Sequence, residues 1–96
     1  MVKHVVMFKL KDKTQENLDS AFSILSSLEG KIDTLRFVEI GLDFKGSERS
    51  YDILLTTHFD DKSSLEAYGS HPNHLPVIKK MRELCSSSVV VDYVIF

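Results

Sequence analysis

From Lys3 to Leu10 the chain alternates, with His4, Val6, Phe8 and Leu10 on one face and Lys3, Val5, Met7 and Lys9 on the other. The middle of this run is apolar on both faces, the mark of an interior strand rather than a half-exposed one. Thr14 then reads as a helix N-cap, since its hydroxyl can accept from the free N–H groups of a first turn. Leu18, Ala21, Phe22, Leu25 and Leu28 recur at spacings of three and four, one apolar stripe on a helix, with Gly30 as its stop. A second strand over residues 35–44 sets Val38, Ile40, Leu42 and Phe44 on one face. The polar turn 45–50 reverses the chain into a third strand, 51–59, which alternates Tyr51, Ile53, Leu55, Thr57 and Phe59 against Asp52, Leu54, Thr56 and His58.

Asp60 or Asp61 can cap the next helix, with Leu65 and Tyr68 facing inward. The spacing predicts that this helix ends near Ser70, that His71 makes a corner, and that another helix starts at Pro72, where the missing N–H and fixed φ of proline cost nothing. Pro76 falls in the first turn. Leu75, Ile78, Met81 and Leu84 form that helix's stripe, Ser86–Ser88 the exit, and Val89–Phe96 a last strand whose single charge is Asp92.

The order is β-α-β-β-α-β, so the predicted fold class is α+β: a ferredoxin-like domain with a four-stranded antiparallel sheet. Right-handed crossovers place the helices on one face. The other face would then leave Val5, Met7, Val89, Val91, Tyr93 and Ile95 bare. Apolar patches of that size normally mark an interface, so a second copy packed sheet against sheet is expected.

Ninety-six residues bound the chain to one domain, 1–96, small enough to gain by pairing. A net charge of −2 and scattered lysines give no footprint for nucleic acid or an anionic membrane. No run approaches the ~20 apolar residues of a membrane helix, and the first residues enter a strand pattern rather than a signal peptide. Cys85, alone, can form no intrachain disulfide and no cysteine cluster for zinc, which fits a reducing cytoplasm.

The candidate chemistry lies in Tyr68-Gly-Ser-His-Pro-Asn-His74. A histidine near its reference pKa of ~6.5 suits removal of a proton alpha to a carbonyl. His74 is the candidate base, and Asp92 its orienting partner, since a lone carboxylate in an apolar strand needs a donor. The plainer reading makes His71 and His74 packing or capping groups at a helix corner, and His4 a satisfied core histidine. Two histidines at i and i+3 without a third ligand make a poor zinc site, so neither a metal nor another cofactor is expected. Cys85 reads as a small apolar filler. No phosphate-binding glycine pattern is present.

Lys3-His4-Val5-Val6, Phe59-Asp60, Glu66-Ala67-Tyr68 with His71-Pro72-Asn73-His74, and Val89-Val90-Val91-Asp92-Tyr93 together resemble the stress-responsive dimeric α/β-barrel (Dabb) family across nearly the whole chain. The resemblance implies a homodimer whose two sheets form a barrel. Most members have no assigned reaction. One branch, the plant polyketide cyclases such as olivetolic acid cyclase, performs a cofactor-free aldol condensation. On that likeness His74 matches the general base, Tyr68 the residue that assists the substrate carbonyl, and His4 and Asp92 a supporting histidine and aspartate. Ile53 stands where the cyclase has a pocket histidine, which argues against the same substrate.

Three functions remain. The first is a homodimer binding a small apolar or aromatic molecule between sheet and helices, with His4, His71, Phe8, Phe22 and Ile53 lining the site. The second is a cofactor-free enzyme, cyclase-like or a monooxygenase of the kind that shares this barrel, using His74, Tyr68 and Asp92. The third is a structural dimer with its interior closed by Phe8, Phe22 and Leu25. An open cavity of about 300 Å³ or more separates the first two from the third.

Overall fold

A computed structural model describes all 96 residues, as β1 (Val2–Leu10), α1 (Gln15–Ser26), β2 (Phe37–Leu42), β3 (Ile53–Phe59), α2 (Lys62–Gly69), α3 (Leu75–Leu84) and β4 (Cys85–Val94). The strands form one antiparallel sheet in the order β2-β3-β1-β4, the ferredoxin-like arrangement. Its interior position explains why β1 is apolar on both sides. The register pairs His4 with Thr57 on one neighbour and Asp92 on the other, so β1 fixes what its two neighbours bring together.

Both predicted caps form. Thr14 accepts from the Asn17 N–H at 3.1 Å and Asp61 from the Ser64 N–H at 2.8 Å. The helices cover the face that carries Ile53, Leu55, Thr57 and Phe59 of β3, all buried against Ala21, Leu25, Leu28, Tyr68, Val77 and Met81. Thr57 is tolerated there because its hydroxyl donates to the His4 carbonyl at 3.1 Å.

Several local expectations differ from the structure. Phe22 lies on the outer side of α1, 45% exposed, while Ala21, Leu25 and Leu28 carry the buried stripe. The stripe of α3 is rotated: Val77 and Met81 are buried and Leu75 is half exposed. That helix begins at Leu75, not Pro72. The first α1 helix closes at Ser26, and Gly30, at φ +75°, serves the following turns. The second strand spans residues 37–42, which leaves Phe44 in solvent. Ser86–Ser88 are strand, because α3 passes into β4 without a loop and Phe8 and Lys9 pair with Ser88 and Ser87.

The opposite face of the sheet is bare. Met7, Phe37, Leu54, Val89, Val91 and Tyr93 each stay 38–60% exposed. Both sides of β4 beyond Ser88 are open, since Val90 and Val94 on the helix side are also exposed. At the end of β1, buried Asp52 accepts the Leu10 N–H at 2.8 Å and faces Lys13 Nζ at 3.4 Å. This carboxylate lies beside the register shift at Lys9/Leu10 and ties β1 to the start of β3.

Candidate functional site

Pro72 interrupts helical bonding after Gly69, and the corner it makes is held by local hydrogen bonds. The His71 carbonyl accepts from His74 N–H at 2.9 Å and Leu75 N–H at 3.1 Å, while His71 Nδ1 accepts from the Asn73 N–H at 3.0 Å. Asn73 Nδ2 donates to the Lys31 carbonyl at 2.9 Å, which anchors the corner to the α1–β2 connection. His74 occupies the N-cap position of α3 but its ring makes no cap bond. The ring is therefore free to lie on Tyr68, with centroids 3.9 Å apart and planes 27° from parallel.

Tyr68 is the largest fully buried side chain of the molecule. Besides His74 it packs on Phe59 at 4.9 Å and meets the edge of His4 at 6.1 Å. Its hydroxyl is buried with no hydrogen-bond partner. A buried donor left without a partner costs on the order of 1–3 kcal/mol, and no group of the protein accepts from this one. Burial also pushes the phenol pKa far above its ordinary value, which makes it a neutral donor at all physiological pH.

The expected pairing of Asp92 with His74 does not form. Asp92 does lie on the helix side of the sheet, but it bonds His4 Nδ1, its cross-strand neighbour. The orienting contact of His74 comes from the backbone instead, Nδ1 to the Gly69 carbonyl at 3.4 Å. That geometry assigns the proton to Nδ1 and leaves the Nε2 lone pair available. Burial lowers the His74 pKa from its ordinary 6.5, and neighbouring His4 and His71 act in the same direction. The Gly69 and Tyr68 carbonyls oppose this and lose. His74 is thus a neutral imidazole at pH 7.

These rings line one side of a cavity of about 450 Å³ between the sheet and the helices. Val6, Phe8, Leu25, Leu28 and Leu55 form its apolar wall. Along α3 it is lined by His74, Ile78 and Arg82, with Val77 and Met81 beside them, and Cys85–Ser88 close it at the start of β4. Of the residues predicted for a site, His4, Phe8, Tyr68 and His74 converge on this space. Asp92 acts behind His4 and is half exposed. Ile53 is buried in the core and does not line the cavity, His71 is spent in the corner, and Phe22 points outward. Arg82 and the three serines were missed. The i, i+4 repeat His74–Ile78–Arg82 was the signal for Arg82, since such residues share one helix face. Burial raises the Cys85 thiol pKa, so it is present as a thiol and behaves as a wall atom. No three His, Cys, Asp or Glu side chains come together as a metal-binding group, and no helix is long and apolar enough to cross a membrane.

Residues 2–95 match the family model of the stress responsive A/B barrel domain. An uncharacterized protein of Streptomyces coelicolor is 29% identical over 96 residues, covering 97% of this chain and 98% of that one. A dimeric Bacteroides fragilis protein of unknown function with a ferredoxin-like fold superposes with a TM-score of 0.83 and 32% identity, covering 98% of this chain and 95% of that one. The hydroxynitrile lyase of Passiflora edulis shares the fold at a TM-score of 0.85 and 17% identity, over 99% of this chain and 93% of its own.

Proposed function

The chain belongs to the stress responsive A/B barrel (Dabb) family, and on that premise we propose that it forms a homodimer, sheet to sheet, which binds a small apolar or aromatic molecule in the cavity between sheet and helices. The observation that carries the binding reading is the cavity itself. About 450 Å³ stays open, within the range of small-molecule pockets, where a purely structural domain would close it with Phe8 and Leu25. The dimer reading rests on the bare apolar face and on the dimeric state of the Bacteroides fragilis relative. Ile78, half-buried on α3 and facing the cavity, provides the test. Amide NMR shifts should follow 4-phenylbutanamide, a neutral aromatic probe, into the cavity of the parent. In Ile78→Trp, which fills the space, the shifts should vanish. Binding that survives the filling would remove the cavity from the reading.

A second reading is a cofactor-free enzyme with His74 Nε2 as general base and the Tyr68 hydroxyl as donor to a forming enolate. His4, held by Asp92, supports the phenol ring. What favours it is the stacking of the two rings at the cavity wall, with burial lowering the His74 pKa from its ordinary value and no group of the protein accepting from the Tyr68 hydroxyl. The hydroxynitrile lyase of Passiflora edulis lends the analogy of an enzyme on this fold and no more. Incubation with 4-phenyl-2-butanone in D₂O should exchange protons alpha to the ketone faster than buffer, and His74→Gln should abolish the excess. Exchange at the buffer rate by the parent would leave only the binding reading.

A further inference from the structure

We propose that the molecule held in this cavity is an amphipathic carboxylate, its acid group on Arg82 and its apolar body running along α3 towards Tyr68 and His74. The inference rests on the binding reading above and adds to it the charge of the ligand.

The argument is an inventory of charge. Among the residues that line the cavity, Arg82 carries the only permanent charge, and no aspartate or glutamate lines it. His74 is held neutral by burial, and Cys85 remains a thiol. Arg82 forms no ion pair, whereas Arg36 on the far side of the molecule makes a two-pronged contact with Asp60. A guanidinium is always charged and presents a planar fork that matches a carboxylate. The bland role for an arginine in the last turn of a helix is to offset the partial negative charge of its carbonyl end. That role needs no cavity in front of the side chain, yet Arg82 shares the cavity-facing stripe with His74 and Ile78.

The two ends of the stripe differ in kind. His74 stands at the start of α3, with the Tyr68 donor behind it. Arg82 stands eight residues on, about 12 Å along the axis at ~1.5 Å per residue. Ile78 lies between them. Ser88, on the helix side of β4 opposite Phe8, follows Arg82 along the lining, and its hydroxyl makes no bond within the protein. A cation and a free hydroxyl at one end, an apolar middle and a neutral donor at the other suit an acid with an apolar body and a carbonyl or hydroxyl at its far end.

The test compares 4-phenylbutyrate with 4-phenylbutanamide, which differ in charge and little in shape. Dissociation constants come from amide NMR titration of the full chain at pH 7.5. The parent should prefer the acid roughly tenfold, the scale of one charge-assisted hydrogen bond. Arg82→Gln should erase the preference, and Arg82→Lys should keep part of it, since the charge remains and the fork does not. Lys79→Gln removes one positive charge from the same helix outside the lining and should change nothing. Equal binding of acid and amide by the parent would overturn this proposal while leaving the binding reading intact. A preference lost equally in Lys79→Gln would overturn it as well, by assigning the effect to net charge. If neither probe enters the cavity of the parent, the binding reading and this proposal fall together.

Discussion

The two faces of the sheet are built from the same strands and end in opposite states. On the helix side, Ile53, Leu55 and Phe59 are almost fully buried, and the polar groups among them are His4, Thr57 and Tyr68. On the open side, Leu54, Val91 and Tyr93 are no more polar, yet water reaches 38–60% of each. Apolar surface alone therefore does not mark the inside of this molecule. What distinguishes the helix side is that it leaves a cavity lined by polar rings, which Leu54, Val91 and Tyr93 of the open side do not reach. The first is suited to a small molecule, the second to a large one.

The largest expected effect comes from turning the open face polar. Val91→Asp would put a carboxylate at the centre of the proposed sheet-to-sheet contact, where an unpaired buried charge costs several kcal/mol. Sedimentation velocity at micromolar concentration should show dimer for the parent and monomer or aggregate for the variant. A parent that sediments as a monomer removes the contrast between the faces, because the open one would then simply be solvated.

Next in size is Asp52, which both faces depend on through the end of β1. Asp52→Ala deletes a buried acceptor and strands the Leu10 N–H. A loss of about 2–3 kcal/mol in denaturant unfolding is expected, the usual worth of a hydrogen bond to a charged group left unmade. A smaller loss would mean that water takes the place of the carboxylate.

Tyr68→Phe sharpens the helix side in particular. It removes only the unpartnered hydroxyl, so stability should rise by about 1 kcal/mol while proton exchange on the ketone probe falls. A destabilised variant would show that the hydroxyl does have a partner in solution, and its functional reading would lose its basis.

How far all this could be read beforehand differs between the two faces. Alternation along β1 and β3 gave the layers and the bare face, because side-chain period is a local property. The start of β4 was misread as an exit because Ser86–Ser88 have little strand preference of their own, and only pairing with Phe8 and Lys9 makes them strand. The His4–Asp92 contact was out of reach for a similar reason. Both residues were candidates, but their pairing depends on the register of two strands 88 positions apart, which no turn sets. The corner at His71 was legible because proline acts locally, and it is this corner that lets the Tyr68 and His74 rings stack.

The smallest expected effect concerns His74 and His58, one on each face, and its value is in the sign. The His74 pKa in the folded chain is lowered by burial, so the unfolded chain takes up protons first as pH falls. Stability contributed by neutral His74 is complete above about 6.5, the unfolded value, and declines as pH drops from there towards the lower folded pKa. His58, on the open face, is lowered by burial too and adds in the same direction. Thermal unfolding should therefore occur at lower temperature at pH 5 than at pH 7.5, and His58→Gln with His74→Gln should flatten the difference. In ring-proton NMR the His74 pKa should not fall in Asp92→Asn, because the carboxylate serves His4. If the His74 pKa falls in that variant, the two rings share one network, and the separate roles of a backbone-oriented base and a carboxylate-held support would have to be merged.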